Sequence, residues 1–294
     1  MIALDAAWRN AHPLPAVEEE TDKNARGRVL IAGGSMTVPG ALALTGEASL
    51  RAGAGKIQLA TVHAAALGLG IAMPEAAVFD LPANAEGELA DEAGEGLVPL
   101  LERCDTLVLG PGMGEQSGVA SILRRVLAAG KTGLPIVLDA AAIAGVRGCV
   151  EAIRKRCGNV VLTPHPGEMI ALMDCKEAEL RDSPRLLAQE AAERFGAVVV
   201  LKQAETWIAA PGEEPIHYGG GGPGLATAGS GDVLAGILGG LMARNLAPRV
   251  AAAWAVWLHG EAGRRLAKQC GAVGFLAREL PAQVPRLIAD FETR

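Results

Sequence analysis

From Arg28 onward, short runs of β-branched and aliphatic residues alternate with longer segments whose apolar positions recur every three or four residues. The short runs read as strands at 28–32, 56–61, 76–81, 106–110, 136–140, 160–163, 197–202, 206–210 and 214–218. The longer segments predict helices over 40–52, 117–129, 167–173, 185–195, 231–244, 248–269 and 276–290. Near-continuous apolar strands alternating with such helices specify an α/β fold, a mostly parallel sheet flanked by helices on both faces. Residues 1–27 are polar and interrupted by prolines, so they are expected to form an extended or partly helical lead-in that adds no core. No linker, repeat or low-complexity tract breaks the rhythm after it, and 28–294 is expected to be a single domain.

Several strands run directly into glycine or polar clusters that open the next helix: VLIA into GGSMTVPGA, LVLG into PGMG, IVLD into AAAI, and VVLT into PHPGE. In an open α/β sheet the ligand crevice lies beyond the carboxyl ends of the strands, so these loops should line one site. The chain carries 38 glycines in 294 residues, where average usage gives about 20, and backbone approach to a ligand at these loops is one use for them. Aromatic residues make up only 3%, so recognition of a ligand's rings must rest on backbone shape and a few polar groups.

Charge and cysteine content narrow the classes further. A net charge of −6 leaves no excess of cations for a nucleic-acid backbone or an anionic membrane. The five cysteines are odd in number and include no C-x-x-C pair, the pattern of free thiols in a reducing compartment. No apolar stretch reaches the length of a membrane span, and a soluble, cytoplasmic protein is expected.

The segment GGGGPGLATAGSGDVLAGILGGLMA at 219–243 carries the strongest chemical signal. Glycine-rich backbone ahead of an apolar helix turns successive N–H groups, and the positive end of the helix dipole, toward an anion such as phosphate. Asp232 opens that helix, beside bound phosphate or as a simple cap. The turn TPHPGE sets His165 and Glu168 at a strand's carboxyl end; Glu168 there suits either the helix dipole or Mg²⁺ held through water. Lys202 lies at another strand end, open to a nucleotide phosphate or to solvent. Asp139, ending VLD, is equally compatible with helix capping.

Taken in order, GGSMTVPGA, RAGAG at 51–55, GPGMG, TPHPGE, LKQAET and GGPGLATAGSGD resemble the motifs of the ADP-dependent NAD(P)H-hydrate dehydratase family of the ribokinase-like superfamily. The resemblance implies a three-layer α/β/α fold and an enzyme that phosphorylates the hydroxyl of hydrated NADH or NADPH. Loss of phosphate then restores the ring, with ADP (or ATP) as donor and Mg²⁺ as cofactor. It makes Asp232 the base, Gly229, Ser230 and Gly231 the anion hole, and Lys202, Gln203, Ala204, Glu205, Thr206 and Gly231 the nucleotide contacts. Ala41, a GPGMG glycine (Gly114 ahead of Gly112), His165 and Asp232 would meet the hydrated cofactor, with Glu168 near Mg²⁺. It also implies a homo-oligomer and an epimerase supplied by another protein, since 27 residues ahead of the domain cannot hold one. Ala141 stands where the family pattern carries an aspartate, Gln203 and Ala228 where it carries glycine. A small-molecule kinase of the same superfamily, or a nucleotide-binding protein with reduced turnover, is the alternative.

Overall fold

The computed structural model describes residues 1–16, 20–115 and 117–292. Its strands are β1 (Ile2–Ala3), β2 (Arg28–Ala32), β3 (Lys56–Val62), β4 (Ala76–Leu81), β5 (Thr106–Leu109), β6 (Ile136–Leu138), β7 (Val160–Leu162), β8 (Val198–Leu201), β9 (Thr206–Ala209) and β10 (Ile216–Tyr218). They form one sheet in the order β1-β10-β9-β8-β7-β6-β5-β2-β3-β4. Neighbours run parallel except at β9, which is antiparallel to both β8 and β10. Strands β5 to β8 are buried at every position, so helices cover both faces, as near-continuous apolar strands require. Each strand expected from the sequence forms, most of them a residue or two shorter.

The sheet fixes where a ligand can bind. The chain leaves β2 outward to β3 and β4, then returns to lay β5 on the other side of β2. That reversal opens a crevice between the loops following β2 and β5. Ala32 pairs with Leu109 in register, which sets Gly33 and Gly110 side by side.

Two expectations are corrected. The N-terminal segment does contribute core: β1 extends the sheet beside β10, and Leu4, Trp8 and Leu14 are buried. The helix Ala6–Ala11 is capped by Asp5, whose carboxylate accepts from the Trp8 N–H at 2.9 Å. Buried polar groups tie the segment down, since Trp254 Nε1 donates to the His12 carbonyl at 2.7 Å and Arg244 to that of Pro15 at 2.8 Å. The helix expected over 276–290 instead begins as two 3-10 turns, Ala277–Glu279 and Pro281–Gln283, and becomes α-helical only at Val284–Glu292. Proline 281 lacks the N–H that a continuous helix needs. Helices that sequence periodicity does not reveal are Ala6–Ala11, His63–Ala72, Ala93–Leu101, Ala141–Gly145, Val150–Arg154 and Glu177–Asp182.

Part of the glycine excess serves packing. The helix Ser230–Ala243 lies against Gly40–Arg51 so closely that a Cβ at Gly236 would stand 2.3 Å from the Thr45 carbonyl oxygen. Ser49 Oγ then donates to the Gly236 carbonyl at 2.9 Å, satisfying a buried hydroxyl across the interface. Overpacking here has no flexible side chain to absorb it. Gly236→Ala is therefore expected to lower unfolding free energy by about 2–3 kcal/mol, read as a lower urea midpoint with an unchanged slope.

Candidate active site

Loops from five strand ends converge with the N-terminus of the helix Ser230–Ala243. After β2 and β5, the Gly34 N–H donates to the Pro111 carbonyl at 2.7 Å and the Gly110 N–H to that of Ala32 at 3.1 Å. A Cβ at Gly112, whose φ is +68°, would collide with the Val38 carbonyl and the Ala41 methyl, at 2.7 and 2.8 Å. Ala41 itself is buried in the first turn of the helix Gly40–Arg51. Gly114 is differently engaged, because its N–H is taken by Glu88 Oε2 at 2.9 Å. Of the two GPGMG glycines expected at the ligand, Gly112 is packed against Ala41 in the crevice wall, whereas Gly114 faces Glu88.

The ends of β6, β7 and β8 carry the charge. Asp139, 3% exposed, follows β6, and its Oδ1 accepts from Thr163 Oγ1 at 2.6 Å and from Lys202 Nζ at 2.7 Å. Asp139 is thus no helix cap; Ala140 occupies that position in the strained φ +48° region. Lys202 is no solvated strand-end lysine either. Burial pulls its pKa down, but Asp139, Glu168 and Asp232 together carry it above the ordinary value. Ala141, two residues on from Asp139, packs against the core.

Asp232 sits opposite. Gly229, at φ +87°, is the cap of its helix, and Asp232 is the third helical residue, within the first turn, so Asp232 is not the N-cap. Burial pushes its carboxyl up to about 7, Asp139's charge adds to the rise and Lys202 opposes it. The Ser230 N–H is already given to the Thr227 carbonyl at 3.2 Å, so among the described residues the unshared donors of this turn include Gly231 and Asp232. A Cβ at Gly231 would stand 3.5 Å from Lys202 Nζ and 4.0 Å from Asp139 Oδ2. The anion-binding turn and the carboxylate cluster are one site.

His165 caps the helix Pro166–Met173. Its Nδ1 accepts from the N–H groups of Gly167 and Glu168 at 3.0 and 3.3 Å, while Glu168 Oε2 accepts from the His165 N–H at 2.8 Å. Burial raises the pKa of Glu168, with Lys202 working against it. An Nδ1 used as acceptor leaves Nε2 as the protonated nitrogen of the neutral ring.

Beside this cluster opens a cavity of about 770 Å³, bordered by His165, Lys202, Gln203, Ala204, Thr206 and the glycine run 219–222. Glu205 does not border it and reaches instead to His217 Nε2, at 2.9 Å. Two further residues were not singled out by sequence reasoning. His259 Nε2 lies 2.9 Å from Ser230 Oγ, and burial lowers its pKa to about 4, so the ring is neutral. Tyr218 also borders the cavity, with its hydroxyl buried and without a hydrogen-bond partner among the described residues. The only available signal for His259 is a polar residue on an otherwise apolar helix stripe, AAAWAVWLHG.

Among the described residues no group of three or more His, Cys, Asp or Glu has metal-ligating geometry, and none of the helices is long and apolar enough to cross a membrane. The positive charge inside the carboxylate cluster is Lys202 itself. These residues therefore fit a magnesium ion carried in on nucleotide phosphates and met by Glu168 through water, and do not fit a dedicated carboxylate cage.

A family model described as NAD(P)H-hydrate dehydratase matches residues 29–286. The chain is 44% identical, over 97% of its length and 95% of the relative's, to an ADP-dependent (S)-NAD(P)H-hydrate dehydratase of Xanthomonas campestris pv. campestris. A bifunctional NAD(P)H-hydrate repair enzyme of Escherichia coli is 34% identical over 96% of this chain, which spans about half of that relative (52%). Among solved structures, an ADP/ATP-dependent NAD(P)H-hydrate dehydratase of Bacillus subtilis co-crystallized with ATP/Mg²⁺ superposes with a TM-score of 0.79 at 28% identity, covering 95% of each chain. A ribokinase-like superfamily protein of Enterococcus faecalis gives 0.78 at 27% identity, over 95% of this chain and 92% of its own. With the ribokinase-like architecture, the motif-bearing loops and this breadth of similarity in agreement, the chain belongs to the NAD(P)H-hydrate dehydratase family.

Proposed function

We propose that this protein dehydrates hydrated NADH and NADPH with ADP as phosphoryl donor, returning the intact dihydronicotinamide together with AMP and phosphate. The observation that carries the reading is a buried carboxyl raised to about 7, Asp232, next in sequence to Gly231, which borders a nucleotide-sized cavity and lies against Lys202 and Asp139. Family membership and the ADP-dependent relative support it.

The chemistry follows from the placement. Hydroxide is a poor leaving group, and transfer of the terminal phosphoryl group makes the departing species a phosphate. Asp232 accepts the proton of the ring hydroxyl as its oxygen attacks the phosphorus and AMP departs. The C–O bond of the ester then breaks, phosphate leaves with the electron pair, a proton is lost from the adjacent carbon, and the ring double bond forms. The N–H groups of Gly231 and Asp232, at the positive end of their helix, hold the charge on the transferring phosphoryl oxygens. Lys202 supports the same charge and keeps Asp139 from pushing Asp232 wholly into its neutral form. Magnesium, when bound with the nucleotide near Glu168, neutralises the phosphate charge.

Gln203, Ala204 and Thr206 border the nucleotide side of the cavity. Ala41 and Gly112, packed on each other, form the side proposed for the hydrated ring, which His165 meets from the border of the cavity, while the Gly114 N–H is held by Glu88. The free thiols accord with a cytoplasmic setting, and assembly into a homo-oligomer is part of the same proposal.

Incubation with hydrated NADH or NADPH, Mg²⁺ and either ADP or ATP should restore dihydronicotinamide absorbance; failure with both nucleotides overturns the reading, and accumulation of a stable phosphorylated product indicates a kinase. Asp232→Asn is expected to lower the rate by about 10²–10⁴-fold while nucleotide affinity, measured by calorimetry, is retained. A base must be unprotonated to act, so kcat/KM should rise about tenfold per pH unit below the Asp232 pKa of about 7 and level off above it.

A further inference from the structure

The helix Pro248–Cys270 turns one face to the nucleotide cavity, where Val256, His259 and Gly260 border it. Gly260 lets that helix lie close: a Cβ there would stand 2.6 Å from Tyr218 Cζ, and one on Gly221 would stand 2.6 Å from Gly260 Cα. The close fit holds the buried His259 against the start of the helix Ser230–Ala243, with Nε2 2.9 Å from Ser230 Oγ. Burying an imidazole costs free energy unless it is hydrogen-bonded, and Ser230 Oγ is its partner.

Ser230 has two donors, and one is spent. Its N–H goes to the Thr227 carbonyl at 3.2 Å, which leaves the hydroxyl as the group through which it can meet a phosphate oxygen. Among the described residues that hydroxyl has no partner other than His259. A neutral imidazole carries a single ring N–H, and burial keeps this one neutral. If its proton sits on Nδ1, then Nε2 takes the serine's only hydroxyl proton, and Ser230 offers an anion no donor. With the proton on Nε2, the imidazole donates to Oγ and the hydroxyl proton is released toward the cavity, which Ser230 and Gly231 both border. An anion held at the positive end of the helix, near Lys202, favours the second arrangement, because both bond dipoles then turn their positive ends toward it.

Resting on the phosphoryl transfer of the dehydratase reading, we propose that His259 is a positioning residue of the anion site: its Nε2–H donates to Ser230 Oγ and turns the Ser230 hydroxyl toward the transferring phosphoryl group, as a third donor beside the Gly231 and Asp232 N–H groups. His259 acts through Ser230, so its effect exists only while that hydroxyl is present.

Ser230→Ala is expected to lower kcat about 10²-fold, the scale of one lost donor to a developing oxyanion. His259→Leu, which leaves the hydroxyl unaimed, should lower it about tenfold, with KM for ADP little changed. His259→Gln, whose amide can still donate to Oγ, should recover most of that loss. In the Ser230→Ala background His259→Leu should cost nothing further. Equal losses in both backgrounds, or a glutamine variant as slow as the leucine one, make His259 a packing residue and overturn the proposal. A second measurement needs no turnover: with ADP and Mg²⁺ bound, imidazole-¹⁵N NMR of the five histidines, with His259 assigned by the signal lost in His259→Gln, should place its proton on Nε2. A proton on Nδ1 overturns the proposal. Failure of the wild-type protein to restore either hydrate removes the dehydratase reading separately, while the NMR result still decides the bond between His259 and Ser230.

Discussion

The contact between Lys202 and Asp139 holds the site together. A lysine at the end of β8 and an aspartate at the end of β6 meet at 2.7 Å under cover of the sheet, with Thr163 from the end of β7 donating to the same carboxylate oxygen. Removing two charges from water is costly unless each finds its counterpart and its hydrogen bonds. Here the pairing leaves Asp139 with one oxygen spare, and it leaves Lys202 facing Glu168 and Asp232 as well. One cation is shared among three carboxylates, and the carboxylate with the weakest claim on it is Asp232. Burial does most to raise its pKa to about 7, Asp139's charge adds to the rise, and its weak share of Lys202 only partly offsets them.

The fold brings these groups together through spacing that only a parallel sheet supplies. Strands β5 to β8 all point their carboxyl ends the same way, so residues far apart in sequence arrive within a few ångströms. The helix Ser230–Ala243 then delivers Asp232 and its free N–H groups from the other side, and it can do so because Gly236 lets it lie directly on Gly40–Arg51. Packing and chemistry meet in the same two helices. Gly40–Arg51 offers Ala41 to the crevice at one end, and Thr45 and Ser49 to its neighbour.

Alternation of short apolar runs with glycine-opened loops was enough to place the strands of the central sheet and the crevice beyond them, because both faces of that sheet are buried and leave a strong local signal. What escaped was non-local or not periodic. Asp139 was visible as a strand-end acid, but its partners lie 24 and 63 residues away, and nothing near it in sequence distinguishes a cap from an ion pair. The helix His63–Ala72 is apolar on every side, with Leu67 and Ile71 exposed at 77% and 75%, so it has no amphipathic period to detect. Strand β1 is two residues long and is specified by its pairing with β10. The glycine surplus was legible only in part: loops account for some of it, and close contact between helices, as at Gly236, accounts for more. Assignment of roles within the site came from the ordered motifs, since spacing alone left Lys202 and Asp232 each with an ordinary alternative.

The account depends on Asp232 titrating near neutral pH in the folded protein, and carboxyl-¹³C NMR of aspartate-labelled protein, with the resonance assigned from Asp232→Asn, measures it directly. The predicted midpoint is about 7, moving down in Asp139→Asn, where the like charge is gone and Lys202 is freed to attract Asp232. A midpoint in the ordinary carboxylate range near 3.8, unaltered by Asp139→Asn, would contradict it.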